Sequence, residues 1–388
     1  LSAAAAAEDG DTITLTPAEN ATSTAYNAAT TGAFSFTSIS YANAGTSWYV
    51  VSENSGSVGG VTYDSSRFAV KVVVTDDEVG ALAAAKTVYA LTPSDNGYTV
   101  GDEMRDISFT NTYAVTKVTP ASLTLTATKT LSGKTLTAKA FNFAVTENGT
   151  IVATGTNDAD GPITFSAINY TTSAAAGEHT YTVSETSTNG NGITVDGTTY
   201  NVVANVTYTD NGDGTATMAV TSVTENGKAL ASPYNVGTFA NTYTAQPVSL
   251  ALTGTKMLSG KALTAGMFRF NLYETGSTFA TAGLTPVTVS NDARGNIAFE
   301  TKTFSTAGTY YFVAQEIAGS NGGVTYDTTA RDITVVVSDN GLGSLVITSV
   351  NGETVTNNTY SVGTFRNTYA VPNTASAYLT LTGTKALT

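Results

Sequence analysis

Leu250-Ala-Leu-Thr-Gly-Thr-Lys256-Met-Leu258-Ser-Gly-Lys261 alternates apolar and polar residues, with a lysine set among the apolar ones. Side chains alternate faces along a strand, so Leu250, Leu252, Gly254, Lys256 and Leu258 share one face and the threonines line the other. The stretch recurs as Leu123-Thr-Leu-Thr-Ala-Thr-Lys129-Thr-Leu131-Ser-Gly-Lys134 and as Leu379-Thr-Leu-Thr-Gly-Thr-Lys385-Ala-Leu387-Thr388. In each copy the lysine points toward the core. A buried ammonium is costly unless it is paired or neutralised, so a repeated inward lysine calls for a partner.

Two further repeated signatures supply one. Tyr49-Val-Val51-Ser-Glu53, Tyr181-Thr-Val183-Ser-Glu185 and Phe312-Val-Ala314-Gln-Glu316 each place a glutamate on the face of two apolar residues. Phe109-Thr-Asn111-Thr-Tyr113, Phe239-Ala-Asn241-Thr-Tyr243 and Phe365-Arg-Asn367-Thr-Tyr369 each place an asparagine between two aromatics of the same face. The glutamates are spaced 185 − 53 = 132 and 316 − 185 = 131 residues apart, and the asparagines 241 − 111 = 130 and 367 − 241 = 126. A chain of 388 residues therefore reads as three periods, each the size of a small domain.

The order Thr-Lys-x-Leu, then Gly-x-x-Tyr-x-Val-x-Glu, then Phe-x-Asn-Thr-Tyr resembles the isopeptide-linkage domains of streptococcal-type pilins and related Gram-positive adhesin repeats. The resemblance covers nearly the whole chain. It implies an all-β architecture of tandem immunoglobulin-like, Cna B-type-like sandwiches arranged as a rod. It also implies a spontaneous amide between the lysine of the first strand and the asparagine of the last, assisted by the glutamate. By position, Lys129, Glu185 and Asn241 form one set and Lys256, Glu316 and Asn367 another, whereas the first repeat offers only Glu53 and Asn111.

The chemistry also follows from the residue types. An amine attacks a carbonyl only as the neutral base, and an apolar site lowers a lysine pKa while raising that of a nearby carboxyl. A protonated glutamate could hydrogen-bond the asparagine carboxamide oxygen, sharpen its carbon as an electrophile, and relay the proton that leaves with ammonia. The alternative is a buried Lys–Glu ion pair capped by a structural asparagine.

Composition bounds the rest. Hydrophobic residues make up 41% of the chain and charged ones 12%, enough apolar surface for a core in each period. Thr, Val, Tyr and Gly in short alternating runs read as strands. The net charge of −13 argues against nucleic acid and anionic membranes as partners, and no apolar run is long enough to span a bilayer. Absence of cysteine excludes disulfides and thiolate chemistry, and internal amides would be an alternative staple. No cofactor is implied, and a turnover enzyme is disfavoured because the proposed chemistry consumes its own side chains.

The periods predict repeats over 1–115, 116–244 and 245–370, with 371–388 a linker and an orphan first strand. Pro120, Pro247 and Pro372 stiffen the joints. Residues 1–10 lack the basic start of a signal peptide; Leu1-Ser2 aligns with Leu131-Ser132 and Leu258-Ser259, so the first lysine strand is missing. Phe34-Ser-Phe36, Ile163-Thr-Phe165 and Ile297-Ala-Phe299 read as equivalent strands. The clusters Asp76-Asp-Glu, Asp210-Asn-Gly-Asp-Gly and Asp339-Asn-Gly-Leu-Gly could suggest calcium, but lack a distal bidentate glutamate and read as hairpin turns. His179 is the sole histidine. Trp48 is expected to face outward, at the position Tyr311 takes in the third repeat. Lys134 and Lys261 follow a Ser-Gly turn instead of lying between inward leucines, and are rejected as bond-forming residues.

Two functional classes remain: an extracellular, cell-surface structural protein, a pilus shaft or adhesin stalk, and a ligand-binding module of a longer adhesin. In the first class the tail carrying Lys385 enters the first repeat of the next subunit and joins Asn111 beside Glu53, making a head-to-tail homopolymer. The competing account is a window of a longer tandem protein.

Overall fold

Alternation along the lysine strands is the feature that sets the architecture. In the computed structural model, which describes residues 1–9, 12–18, 23–371 and 377–387, Val248–Ser259 buries Val248, Leu250, Leu252, Gly254 and Lys256 and turns the intervening residues outward. The described residues are built from strands, with one short 3-10 turn at Ser173–Ala175. Pro372 and Thr388, named above, and parts of the ranges 1–10 and 371–388 lie outside the described residues.

The chain divides into two compact units. One comprises residues 1–123, 168–179 and 204–223. Its largest element is a closed barrel whose strands run, in order round the wall, Ser2–Asp9, Thr12–Pro17, Gly97–Met104, Leu82–Ser94, Arg67–Asp76 and Gly45–Ser52. Closure corrects one sequence expectation, that for Trp48. The alanine run Ser2–Asp9 is a strand, pairing Ala4 with Trp48 on one side and with Pro17 on the other. Trp48 does not face outward: it is 7% exposed and packs with Leu15, Val50, Ala69 and Leu91. A barrel buries the inner face of each strand, and here the outer face of Gly45–Ser52 is covered too, where Val51 packs with Phe68, Val88 and Phe109. Phe34-Ser-Phe36 is not a strand; its rings stack edge-on at 5.8 Å, and Phe34 lies 6.1 Å from Phe109.

The other unit comprises residues 124–167, 180–203 and 224–388. Leu125–Ser132 lies between Pro162–Phe165, antiparallel, and Tyr234–Tyr243, parallel. The third repeat forms two sheets. One centres on Val248–Ser259 beside Thr359–Tyr369; the other runs Val287–Ser290, Arg269–Thr275, Gly308–Glu316, Arg331–Asp339, Leu345–Val350. Leu250, Leu252, Phe270, Phe312, Val335 and Phe365 fill the space between them. Their inward period-2 faces make this a β-sandwich.

In both lysine-bearing repeats the first strand pairs with the last in parallel. Lys129 sits opposite Phe239 with Leu131 opposite Asn241, and Lys256 opposite Phe365 with Leu258 opposite Asn367. The lysine and asparagine are thus diagonal neighbours on one face, a separation that long side chains bridge.

Candidate cross-linking sites

Lys129 and Lys256 are 1% and 2% exposed, among the largest fully buried side chains in the protein. The strand pattern leaves them no route to solvent. Each ammonium lies over a phenylalanine, Phe141 at 4.7 Å and Phe268 at 4.5 Å, and each meets one carboxylate. Lys129 Nζ donates to Glu185 Oε2 at 2.7 Å, and Lys256 Nζ to Glu316 Oε2 at 2.5 Å. The second carboxylate oxygen is taken by the asparagine: Asn241 Nδ2 donates to Glu185 Oε1 at 2.8 Å and Asn367 Nδ2 to Glu316 Oε1 at 2.6 Å. One glutamate therefore bridges amine and carboxamide, one oxygen to each. The glutamates are delivered by the strands Gly177–Glu185 and Gly308–Glu316, which place Glu185 opposite Phe143 and Glu316 opposite Phe270.

The carboxamide oxygen is not held by the glutamate, contrary to the expectation from sequence. It accepts a backbone N–H, from Asp196 to Asn241 Oδ1 at 2.8 Å and from Asp327 to Asn367 Oδ1 at 2.8 Å. Because a main-chain N–H can only donate, this contact assigns the oxygen and nitrogen of the amide. The glutamate instead faces the nitrogen that would leave. The positioning aspartates are themselves braced: Ala240 N–H donates to Asp196 Oδ2 at 2.7 Å and holds that carboxyl below its usual range, with the Thr198 hydroxyl assisting.

Burial dominates the electrostatics. Desolvation pulls both lysines below the ordinary value of 10.5, against the contrary pull of their glutamates, and pushes Glu316 above 4.5. At the Lys256–Glu316 pair both directions weaken the ion pair relative to a neutral amine beside a protonated acid.

The first repeat shows the same arrangement with one member missing. Asn111 Nδ2 donates to Glu53 Oε1 at 2.7 Å, and Asp64 N–H donates to Asn111 Oδ1 at 2.8 Å. Glu53 Oε2, the oxygen that meets a lysine in the other two repeats, is buried without a hydrogen-bond partner among the described residues. Asn111 is exposed, unlike Asn241 and Asn367. Lys385 lies on the exposed segment 377–387, where Tyr378, Leu379, Leu381 and Leu387 are each more than four-fifths accessible and no strand is formed.

Two further sets were missed in the sequence. Asp64, Asp196 and Asp327 recur at 196 − 64 = 132 and 327 − 196 = 131 residues, the spacing of the glutamates, which was the available signal. Asn157 and Asn291 are buried, and each accepts the N–H of the phenylalanine under the lysine, Phe141 or Phe268, at 2.9 Å. They pin the loop that carries that ring, and nothing in their local sequence announces it. The Asp-Asn-Gly clusters are hairpin turns, in which Asp210 and Asp339 each accept a glycine N–H.

A family profile described as FctA, Spy0128-like isopeptide-containing domain, matches residues 2–114, 125–244 and 252–370. The chain belongs to the FctA family. That family is structural and not catalytic. Similar solved structures include the major pilin T-13 of Streptococcus pyogenes, at 16% identity and TM-score 0.23 over 65% of this chain and 99% of that one. Another is a C-terminal fragment of the pilus adhesin SpaC of Lactobacillus rhamnosus GG, at 13% identity and TM-score 0.21 over 67% and 100%. A third is the Bacillus anthracis TIE protein, at 11% identity and TM-score 0.20 over 94% and 56%. No curated protein matches the chain. No described helix of this FctA-family chain is long and apolar enough to cross a membrane.

Proposed function

We propose that this is a cell-surface structural protein of the pilus-shaft or adhesin-stalk type, whose second and third repeats are each closed by an amide of their own making. The observation that supports it is the buried bridge from lysine through glutamate to asparagine, formed twice with the same atoms. The lysine first passes its proton to the glutamate, leaving a neutral amine. Nζ then attacks Cγ of the asparagine while the Asp196 or Asp327 N–H holds the charge that develops on Oδ1. The Cγ–Nδ2 bond breaks, the Nζ–Cγ amide forms, and the glutamate moves the attacking nitrogen's proton to Nδ2, which leaves as ammonia. Lysine plus carboxamide becomes amide plus ammonia, with no charge left in the core. Intact mass under denaturing conditions should fall short of the sequence mass by two ammonias, with Glu185→Gln and Glu316→Gln each restoring one. A full mass for the unaltered protein would overturn the reading.

The first repeat extends the proposal to self-assembly. Glu53 Oε2 is a buried acceptor with no donor among the described residues, and 379–387 repeats the lysine-strand pattern with its leucines in solvent. Adding that segment of a second copy to the first repeat would satisfy both and bring Lys385 to Asn111. A contact of that kind does not close and so makes a filament. Boiled in detergent, the protein should run as a covalent ladder that Lys385→Ala abolishes. A single monomer band at every concentration would leave only the intramolecular bonds.

A further inference from the structure

The tyrosine that ends each Phe-x-Asn-Thr-Tyr signature makes no contact with the lysine chemistry, yet it recurs with a fixed set of neighbours. In one unit, Tyr113 Oη donates to Asp210 Oδ1 at 2.6 Å and accepts the Gly214 N–H at 3.3 Å. In the other, Tyr243 Oη donates to Asp339 Oδ1 at 2.6 Å and accepts the Gly343 N–H at 3.2 Å. Each tyrosine therefore plugs into an Asp-Asn-Gly-x-Gly hairpin belonging to the following repeat. Glycine is required on both sides: a Cβ on Gly60 would lie 2.6 Å from Gly214 Cα, and one on Gly192 2.7 Å from Gly343 Cα. The second joint adds Lys134, which lies 5.0 Å over the Tyr243 ring and donates to Gly341 O at 2.8 Å.

Both halves of this joint occur once more without a partner among the described residues. Tyr369 stands against Gly323 as Tyr113 stands against Gly60, with Ala370 N–H on Gly323 O at 2.9 Å, and Lys261 lies 5.2 Å over its ring as Lys134 does over Tyr243. No described residue accepts from Tyr369 Oη. The hairpin 76–80 in turn copies the receiving half. Asp76 Oδ1 accepts the Glu78 N–H at 2.9 Å, as Asp339 accepts that of Gly341, and Asp77 Oδ1 accepts those of Val79 and Ala81, as Asn340 accepts those of Leu342 and Ser344. Gly80 has the positive φ of Gly343, +100° against +87°, and nothing lies within 4 Å of where its Cβ would be.

We propose that Tyr369, Gly323 and Lys261 of one copy dock on hairpin 76–80 of a second copy, with the Tyr369 hydroxyl on Asp76 and Lys261 against Glu78. Charge complementarity singles out this occupant. The hairpin carries three consecutive acids, Asp76, Asp77 and Glu78, where the internal hairpins carry one or two, and the face that would meet it carries a lysine. One internal contact is not reproduced: Thr116 and Gln246 donate their N–H to Gly214 and Gly343, and proline stands at the matching position 372. The docked pair is held by the tyrosine and the lysine.

This joint rests on observations separate from strand donation and is tested with the covalent route removed. Full-length Lys385→Ala protein, half of it labelled with ¹⁵N, is treated with a zero-length carbodiimide, and cross-linked peptides are sequenced by mass spectrometry. Mixed-isotope peptides joining Lys261 to Asp76, Asp77 or Glu78 are expected. Tyr369→Phe should lower their yield at least about tenfold, because a charge-assisted hydrogen bond is lost. Lys261→Glu should abolish self-association in sedimentation and Glu78→Lys should restore it. Same-isotope peptides only, Lys261 coupled elsewhere, or a yield unchanged in Tyr369→Phe would each overturn the joint. A detergent-stable ladder from the unaltered chain without these cross-links would sink the joint alone, and cross-links without a ladder would sink strand donation alone.

Discussion

At the residue scale, the decisive quantity is the difference in solvation between a lysine in water and one buried over Phe268. Desolvation lowers the Lys256 pKa from 10.5, so the folded protein sheds that proton at lower pH than the unfolded chain does. Between the two values the unfolded state binds more protons, and stability rises with pH. The effect is hidden once nitrogen is in an amide, and Glu316→Gln should expose it. Urea midpoints for that variant should rise as pH climbs toward the unfolded lysine value of 10.5, with a slope of no more than about 1.4 kcal/mol per pH unit. Lys256→Met in the same background should flatten it. A midpoint that falls with pH would mean Lys256 stays charged in the fold.

At the element scale, the lysine is aimed by backbone contacts to its own strand. Lys256 N–H donates to Gly295 O at 2.6 Å, and a Cβ on Gly295 would sit 2.2 Å from Lys256 O. Gly295 has φ +88°, so alanine there meets both an unfavourable conformation and the backbone of Lys256. Gly161 has the same relation to Lys129 O, at 2.3 Å. Gly295→Ala is expected to destabilise the third repeat by about 2–4 kcal/mol in urea unfolding, measured with Glu316→Gln present so that no cross-link intervenes. With Glu316 intact it should delay the loss of the corresponding ammonia after refolding. Unchanged stability would show that the strand is positioned by its parallel partner alone.

At the scale of the whole molecule, the proposed cross-links would act on the unfolded chain. A bond from Lys256 to Asn367 would close 367 − 256 = 111 residues, and one from Lys129 to Asn241 would close 241 − 129 = 112. Loops of this length lose conformational entropy worth about 4–5 kcal/mol on closure. Wild type should therefore exceed Glu316→Gln in unfolding free energy by about that amount, after allowance for the unpaired lysine left in the variant. Equal denaturation curves would remove the mechanical argument for a stapled stalk.

The three periods, and in the second and third repeats the lysine strands and the inward placement of lysine, glutamate and asparagine, were legible in the sequence, because a side chain's face on a strand follows from its parity; Phe34-Ser-Phe36 and the segment carrying Lys385 did not form the expected strands. The direction of the hydrogen bonds was not legible. The Asn241 oxygen is held by a backbone N–H that no side-chain pattern records, so the contact of the glutamate with the asparagine nitrogen emerges only from the fold. Parity also failed at Trp48, because the barrel encloses its face of the strand while Phe68, Val88 and Phe109 cover the other, and closure depends on pairing between Ser2–Asp9 and Gly45–Ser52, far apart in the chain. The tyrosine joints lay in plain view as repeated letters, yet their meaning required Tyr113 and Asp210, 97 residues apart, to meet. Local periodicity decides which way a residue points, and only the tertiary structure decides what stands there to receive it.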